Sequence, residues 1–294
     1  MRVALVLAAL LFGLGGFSNA RADARFAPAE PAARSFHVGA ISLTALRDAR
    51  IIVDNDGKTF GLGVSTRAVG KVLRAARAPA DPITLGANAL LVRTGGRLLL
   101  LDTGVGPQHG ALLASLKLAG VSPGDVTDVL ITHPHPDHVG GLLDAQGRLA
   151  FPKAAIRMAT AAWAWMKQKA SPAMTAAISA HVQTFEPGAT LAQGVVSVSL
   201  PGHTPGHVGY EITSGDSRLI DIGDVAHSSI VSLAQPRWGI EFDNDQALAR
   251  QTRLKTLAGL ARSDEWVFAP HFPFPAVGHI VVAGQGYAWK QGLP

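Results

Sequence analysis

The chain has 294 residues, of which 48% are hydrophobic and 16% charged: enough apolar material for a sizeable core, and too little charge for a disordered chain. Its 26 Lys and Arg against 21 Asp and Glu leave a formal net charge of +5, too mild and too scattered to imply a nucleic-acid partner. With no cysteine, disulfides, a thiolate nucleophile and cysteine-ligated zinc are all excluded.

The N-terminal stretch "MRVALVLAALLFGLGGFSNARA" has a basic start at Arg2, an apolar run from Val3 to about Leu14, and an A-x-A site ending at Ala22. It reads as a signal peptide over residues 1–22, which predicts a periplasmic or secreted protein. The apolar run is shorter than the about 20 residues needed to span a bilayer, so no membrane insertion is expected after cleavage. Removing the segment takes away Arg2 and Arg21 and lowers the net charge to +3.

Residues 23–35 are rich in Ala and Pro and read as a flexible leader. A single domain is expected over 36–294, because no linker-like stretch divides the rest. "FHVGAISLTAL" (36–46) predicts an opening strand; residues 47–85 hold Gly, Asp and one short helix without further assignment. "ALLVRTGGRLLLLDTG" is a hairpin turning at Gly95-Gly96. "GALLASLKLAG" predicts a helix closed by Gly120, and "DVLIT" a short buried strand. A helix over 158–169 carries Trp163 and Trp165. "VVSVSL" alternates as a half-buried strand, and "GYEITSGDSRLIDIGD" is a second hairpin. An amphipathic helix follows over 245–261, with Leu254, Leu257 and Ala261 on one face. "EWVFAP" predicts a final core strand. The two halves echo one another, each with a hairpin followed by an acidic turn.

The chemistry concentrates in "THPHPDHVGG" (132–141), where His133, His135, Asp137 and His138 crowd into six positions. Further residues of the same kind follow predicted strands: His203 after "VVSVSL", Asp224 after "RLIDI", His271 after "WVFAP". Strand ends are rigid supports whose loops can converge on one rim. Neutral imidazoles suit zinc and similar divalent ions, and carboxylates add charge and can bridge two of them. The set is too large for one tetrahedral ion and suits two. His133 and His135 project to one side and can grip the first ion, while Asp137 and His138 lie beyond Pro136 and can grip the second.

The motif resembles the H-x-H-x-D-H signature of metallo-β-lactamase-fold hydrolases. "DTG" at 102–104, "GHTPGH" at 202–207, "GD" at 223–224 and the late His271 match that superfamily's other motifs in order. The resemblance implies an α/β (α+β) fold, a four-layer αββα sandwich with a dinuclear site on its edge. By the same resemblance His133, His135 and His203 bind one metal, Asp137, His138 and His271 the other, and Asp224 bridges them. The ions are expected to be zinc, with manganese, iron or cobalt able to take the same donors. Asp102 is implied as a structural residue steadying the motif loop.

Within the superfamily, "ITHPHPDHVGGL", "GHTPGHVGY" and "APHFPFPAVGHI" are similar to the methyl parathion hydrolase branch, itself similar to quorum-quenching lactonases. This implies an exported hydrolase acting on a small ester-type substrate, namely a lactone, a carboxylic ester or an organophosphate triester, through a hydroxide held between two metals. A homodimer is implied on the same ground. Asp224, Asp137 and His227 are the expected catalytic residues. Trp165 and His227 are expected to meet substrate, His227 standing where related lactonases carry a tyrosine. His207 is a candidate for orienting a ligand, and His279 reads as structural. The short segment "GVGPQHGALL", with His109, departs from the longer aromatic-bearing loop of the branch, which counts against a phosphotriester preference. Two alternatives stand beside this reading: a glyoxalase-II-like thioesterase and a non-catalytic periplasmic metal-binding protein.

Overall fold

The structure, a computed structural model, describes residues 25–294, and the expected signal peptide lies outside them. Two seven-stranded mixed sheets pack face to face. The first runs in chain order: β1 (Arg25–Val38), β2 (Ile41–Val53), β3 (Ile83–Thr94), β4 (Arg97–Leu101), β5 (Asp128–Ile131), β6 (Ala155–Ala159) and β7 (Val182–Phe185). The second comprises β8 (Thr190–Ala192), β9 (Val195–Ser199), β10 (Val208–Ser214), β11 (Ser217–Asp221), β12 (Trp266–Phe268), β13 (Val277–Ala283) and β14 (Gly286–Gln291). The helices are α1 (Thr66–Ala75), α2 (Leu112–Leu118), α3 (Pro136–Val139), α4 (Thr160–Lys169), α5 (Pro172–Ile178), α6 (Val231–Ala234) and α7 (Gln246–Ser263). With α2 and α4 against the first sheet and α7 against the second, the layers are helix, sheet, sheet and helix.

The core lies between the sheets because their inner faces are almost wholly aliphatic. Leu90, Leu99 and Leu130 of the first sheet meet Val208, Ile212 and Leu219 of the second, all fully buried. Each contributes about 1.5–3 kcal/mol by leaving water. The echo between the halves is topological. In each, an antiparallel hairpin (β3–β4, β10–β11) passes to a parallel neighbour, β5 or β12. The parallel pairs carry the C-terminal ends of four strands to one rim.

The hairpin at Gly95-Gly96 forms as expected, with Thr94 opposite Arg97 and φ of 54° and 73° at the two glycines, conformations open to glycine at no steric penalty. The helix over 245–261 is α7, started by Asp245, whose side chain accepts from the amides of Ala247 and Leu248. Two expectations are corrected. The leader over 23–35 is, from Arg25 onward, strand β1, paired with β2 in register from Arg25–Ile52 to Val38–Ile41. Its prolines suit an edge strand, whose outer side needs no ladder donor, and the register shifts between Pro28 and Ala32. The strand through Trp266–Phe268 is not the last, because β13 and β14 extend the sheet beyond it. Residues 47–85 resolve into the end of β2, α1 capped by Ser65, and the start of β3.

Candidate metal centre

β5 ends at Ile131 and releases the motif loop; β9 leads to His203, β11 to Asp224 and β12 to His271. These four strand ends bring the seven expected ligands together. His133 Nε2, His135 Nδ1 and His203 Nε2 are mutually separated by 3.1, 3.2 and 2.9 Å. Three nitrogens on one zinc stand about 3.3 Å apart, given metal–nitrogen bonds near 2.0–2.1 Å. The trio therefore fits a tetrahedral ion with shifts of a few tenths of an ångström. Opposite it, His138 Nε2 and His271 Nε2 are 3.3 Å apart, with Asp137 Oδ2 at 3.7 and 3.5 Å from them.

Asp224 joins the two groups. Its Oδ2 is 3.5 Å from His133 and 3.2 Å from His203, Oδ1 is 3.3 Å from His138, and His271 lies close to both oxygens, at 3.1 Å from Oδ1 and 3.2 Å from Oδ2. Oδ1 is buried and has no hydrogen-bond partner, as expected of an oxygen shaped for an ion. The donor set, neutral imidazoles with two carboxylates, suits borderline divalent cations, so these residues fit the metal pair that the resemblance implies.

The electrostatics have the same cause. Burial would raise the Asp224 carboxyl, but the imidazoles of His271, His138 and His133 outweigh it and hold it well below the usual range. Burial pushes His133 well below the ordinary imidazole range, reinforced by His138. Burial also opposes charge on His138, yet Asp224, Asp102 and Asp137 overcome it and hold that ring well above its ordinary value. An ion bound by these rings therefore competes with protons for the same nitrogens.

A second layer orients the rings. Asp102, at φ 60°, accepts from Thr132 N at 2.8 Å and from His138 Nδ1 at 2.7 Å, locking motif loop and ligand together. His271 Nδ1 donates to Gly86 O at 2.9 Å. His207 donates through Nδ1 to Leu200 O at 2.6 Å and accepts the Asp224 amide on Nε2 at 3.0 Å. Burial, then His203, pushes it down to about 3, so it is neutral and can accept. It touches the backbone of the bridging residue, the orienting place considered for it.

Three further residues of the centre escape sequence reading. Asp243 accepts from His203 Nδ1 at 3.0 Å and pairs with Arg253 Nη2 at 2.9 Å, all three side chains being buried. Asp48 lies in a bulge of β2 and accepts from the amides of Val105 and Leu112, pinning the loop after "DTG". None carries a local pattern, since each partner is remote in sequence.

The remaining candidates divide. Trp165 is buried at 9% exposure with its ring 5.8 Å from that of His135, edge to face. Trp163, on the same helix, packs against the core and under Lys167 instead. His227 is buried, its Nε2 3.1 Å from Asp224 Oδ2 and its ring stacked 5.4 Å from that of His271. His279 lies against Trp266 and near Asp264, at the other end of β12 from His271. His109 faces Phe26 of β1 at 6.5 Å.

Known proteins resemble this chain in fold or in sequence. AidC, a dizinc quorum-quenching lactonase solved with a product, superposes with a TM-score of 0.83 at 28% identity, over 89% of this chain and 98% of that one. The hydrolase AbOPH of the beta lactamase superfamily superposes with a TM-score of 0.81 at 29% identity, over 89% and 97%. Metallo-beta-lactamase domain-containing protein 1 of Homo sapiens is 41% identical over 101 residues, 31% of this chain and 38% of that protein. The atrochrysone carboxyl ACP thioesterase of Aspergillus fumigatus is 40% identical over 97 residues, 32% of this chain and 21% of that protein. The chain thus matches well under two thirds of the length of these two relatives. The metallo-beta-lactamase superfamily pattern runs through residues 83–271, and this chain belongs to that superfamily.

Proposed function

We propose that this superfamily hydrolase is an exported dinuclear enzyme that cleaves an ester-type bond in a small molecule, with a lactone as the favoured substrate. The observation that carries the reading is the place of Asp224 between the two histidine groups, its carboxylate 3.2 Å from His203 on one side and 3.1 Å from His271 on the other. A lactone is favoured by the likeness to AidC, which extends over 98% of that lactonase. Carboxylic esters and phosphotriesters present the same kind of electrophile and belong to the class to be tested.

Two cations held by these donors would supply Lewis acidity toward the substrate oxygen and acidify water between them. The chain's own residues do the rest. Asp224, at 3% side-chain exposure, is placed between the two groups to orient the reacting water. Asp137, at 16%, is the more exposed carboxylate and can pass protons to solvent. His138 and His203 are fixed by Asp102 and Asp243, so little motion is needed when charge develops. Trp165 closes the side next to His135 and offers an apolar face to the leaving group.

The likeness to an ACP thioesterase keeps a thioester in view as a second reading. A panel decides: protein reloaded with two equivalents of zinc, assayed against an acyl lactone, a p-nitrophenyl ester, an aryl phosphotriester and an acyl thioester. Highest kcat/KM for the lactone is expected. Preference for the thioester would transfer the assignment, and no turnover of any of the four with both ions bound would favour a metal-binding protein.

A further inference from the structure

Each imidazole that surrounds Asp224 is held by hydrogen bonds except one. His138 is tied to Asp102, His203 to Asp243, His271 to Gly86 O and His133 lies beside Thr132 Oγ1. His227 is 2% exposed; its Nδ1 makes no hydrogen bond, and its Nε2 has the Asp224 carboxylate beside it. A buried polar atom without a partner is rare in folded proteins and calls for a ligand or a function. The ring is instead wedged by contacts: stacked at 7° on His271, with Phe242 at 5.8 Å and His203 at 4.9 Å. This clamp aims Nε2 at the bridging carboxylate, 3.1 Å from Oδ2, as near as any imidazole in the centre comes to it. One donor atom each from Asp224, His227 and His271 lie within 4.8 Å of one another, the same closeness that marks the two groups already described.

We propose that His227 is an eighth protein ligand, binding the second cation beside Asp224 and His271. The inference rests on the dinuclear reading above and refines it. The first cation keeps four protein donors, His133, His135, His203 and Asp224. The second gains a fifth, after Asp137, His138, His271 and the shared Asp224. The two positions are then unequal, the second being richer in donors and better suited to ions that accept more than four. Sequence reasoning expects His227 to contact substrate, and the two roles make different measurements move.

The test uses the full chain labelled with 15N-histidine, stripped with a chelator and reloaded with 113Cd2+. Six imidazole rings are expected to show nitrogen–cadmium coupling, one of them identified as His227 by its proximity to the Phe242 ring. Coupling to five rings without His227 overturns the proposal and leaves the dinuclear reading intact. Capture of a single cadmium, with one group of rings uncoupled, would instead sink the dinuclear reading itself. In parallel, His227→Phe is titrated with zinc by calorimetry. Loss of at least about tenfold in affinity for one equivalent, with the other unchanged, is expected. Unchanged zinc affinities with a raised KM for the lactone would assign His227 to substrate instead. Should that variant not fold, the labelled wild-type protein still decides.

Discussion

Asp243 holds His203 from behind: its Oδ1 accepts from Nδ1 at 3.0 Å, leaving Nε2 to face His133 and His135. Its other oxygen pairs with Arg253 of α7 at 2.9 Å, so a candidate metal ligand is anchored to a helix on the outer face of the second sheet. Asp243→Ala would leave a buried guanidinium without its counter-ion, at about 3–5 kcal/mol. Asp243→Asn keeps the side-chain shape and one acceptor for His203 while removing the charge opposite Arg253, so its zinc affinity is read beside its Tm. A fall of about 10–100-fold in zinc affinity is expected for it. Calorimetric titration checks this, and wild-type affinity would detach Asp243 from the centre.

Asp224 is the residue whose loss should divide the centre. Asp224→Ala removes both oxygens that reach the two histidine groups. The prediction is a protein holding at most one zinc per chain, with hydrolysis of the panel substrates abolished. Elemental analysis and steady-state rates measure the two effects separately. Unchanged turnover would refute the bridging role.

The turn before Asp224 leaves no unstrained room for a side chain. Gly223 has φ 47°, and a Cβ there would lie 2.6 Å from His207 Nε2, the atom that accepts the Asp224 amide. Gly223→Ala combines a left-handed backbone, at about 1–2 kcal/mol, with displacement of that ring. The expected outcome is a lower Tm and weaker zinc binding together. A melt indistinguishable from wild type would show that the turn relaxes freely.

Trp165 stands edge to face beside the His135 ring and offers no metal donor, so its replacement should act on substrate more than on metal. For Trp165→Leu, kcat/KM is expected to fall more for p-nitrophenyl esters than for aliphatic lactones, at unchanged zinc content. Equal losses on both would remove the ring from the leaving-group side.

The rim of strand ends was legible because its ligands are either adjacent in sequence, as at His133–His138, or placed directly after an apolar strand, as at His203, Asp224 and His271. The sandwich followed from resemblance, and its hairpins from glycine pairs. What escaped is what forms only on assembly. Arg253 reads as one of several solvated bases on α7 until Asp243 arrives beneath it. β1 was hidden by composition, since prolines that forbid a central strand are harmless at an edge. β13 and β14 were missed because expectation stopped at the strand leading to the last ligand.

Asp48 offers a pH signature outside the expected ligand set. Its carboxylate is buried beneath the loop after β4, and burial lifts it from 3.8 to about 6, against the lowering effect of the Val105, Leu112 and Ala111 amides and with a small upward push from the nearby Asp137 charge. A carboxyl raised in the folded state binds its proton more tightly there than in the unfolded chain. Stability from this group is therefore present at low pH and declines as pH rises from about 4 to about 6, then levels off. The full swing is on the order of 3 kcal/mol. Other carboxylates titrate in the same range, so the quantity to read is a difference. In urea unfolding of chelated protein between pH 4 and 7, the advantage of wild type over Asp48→Asn should shrink as pH rises. A constant difference across that range would mean that Asp48 ionises in the fold as freely as in water.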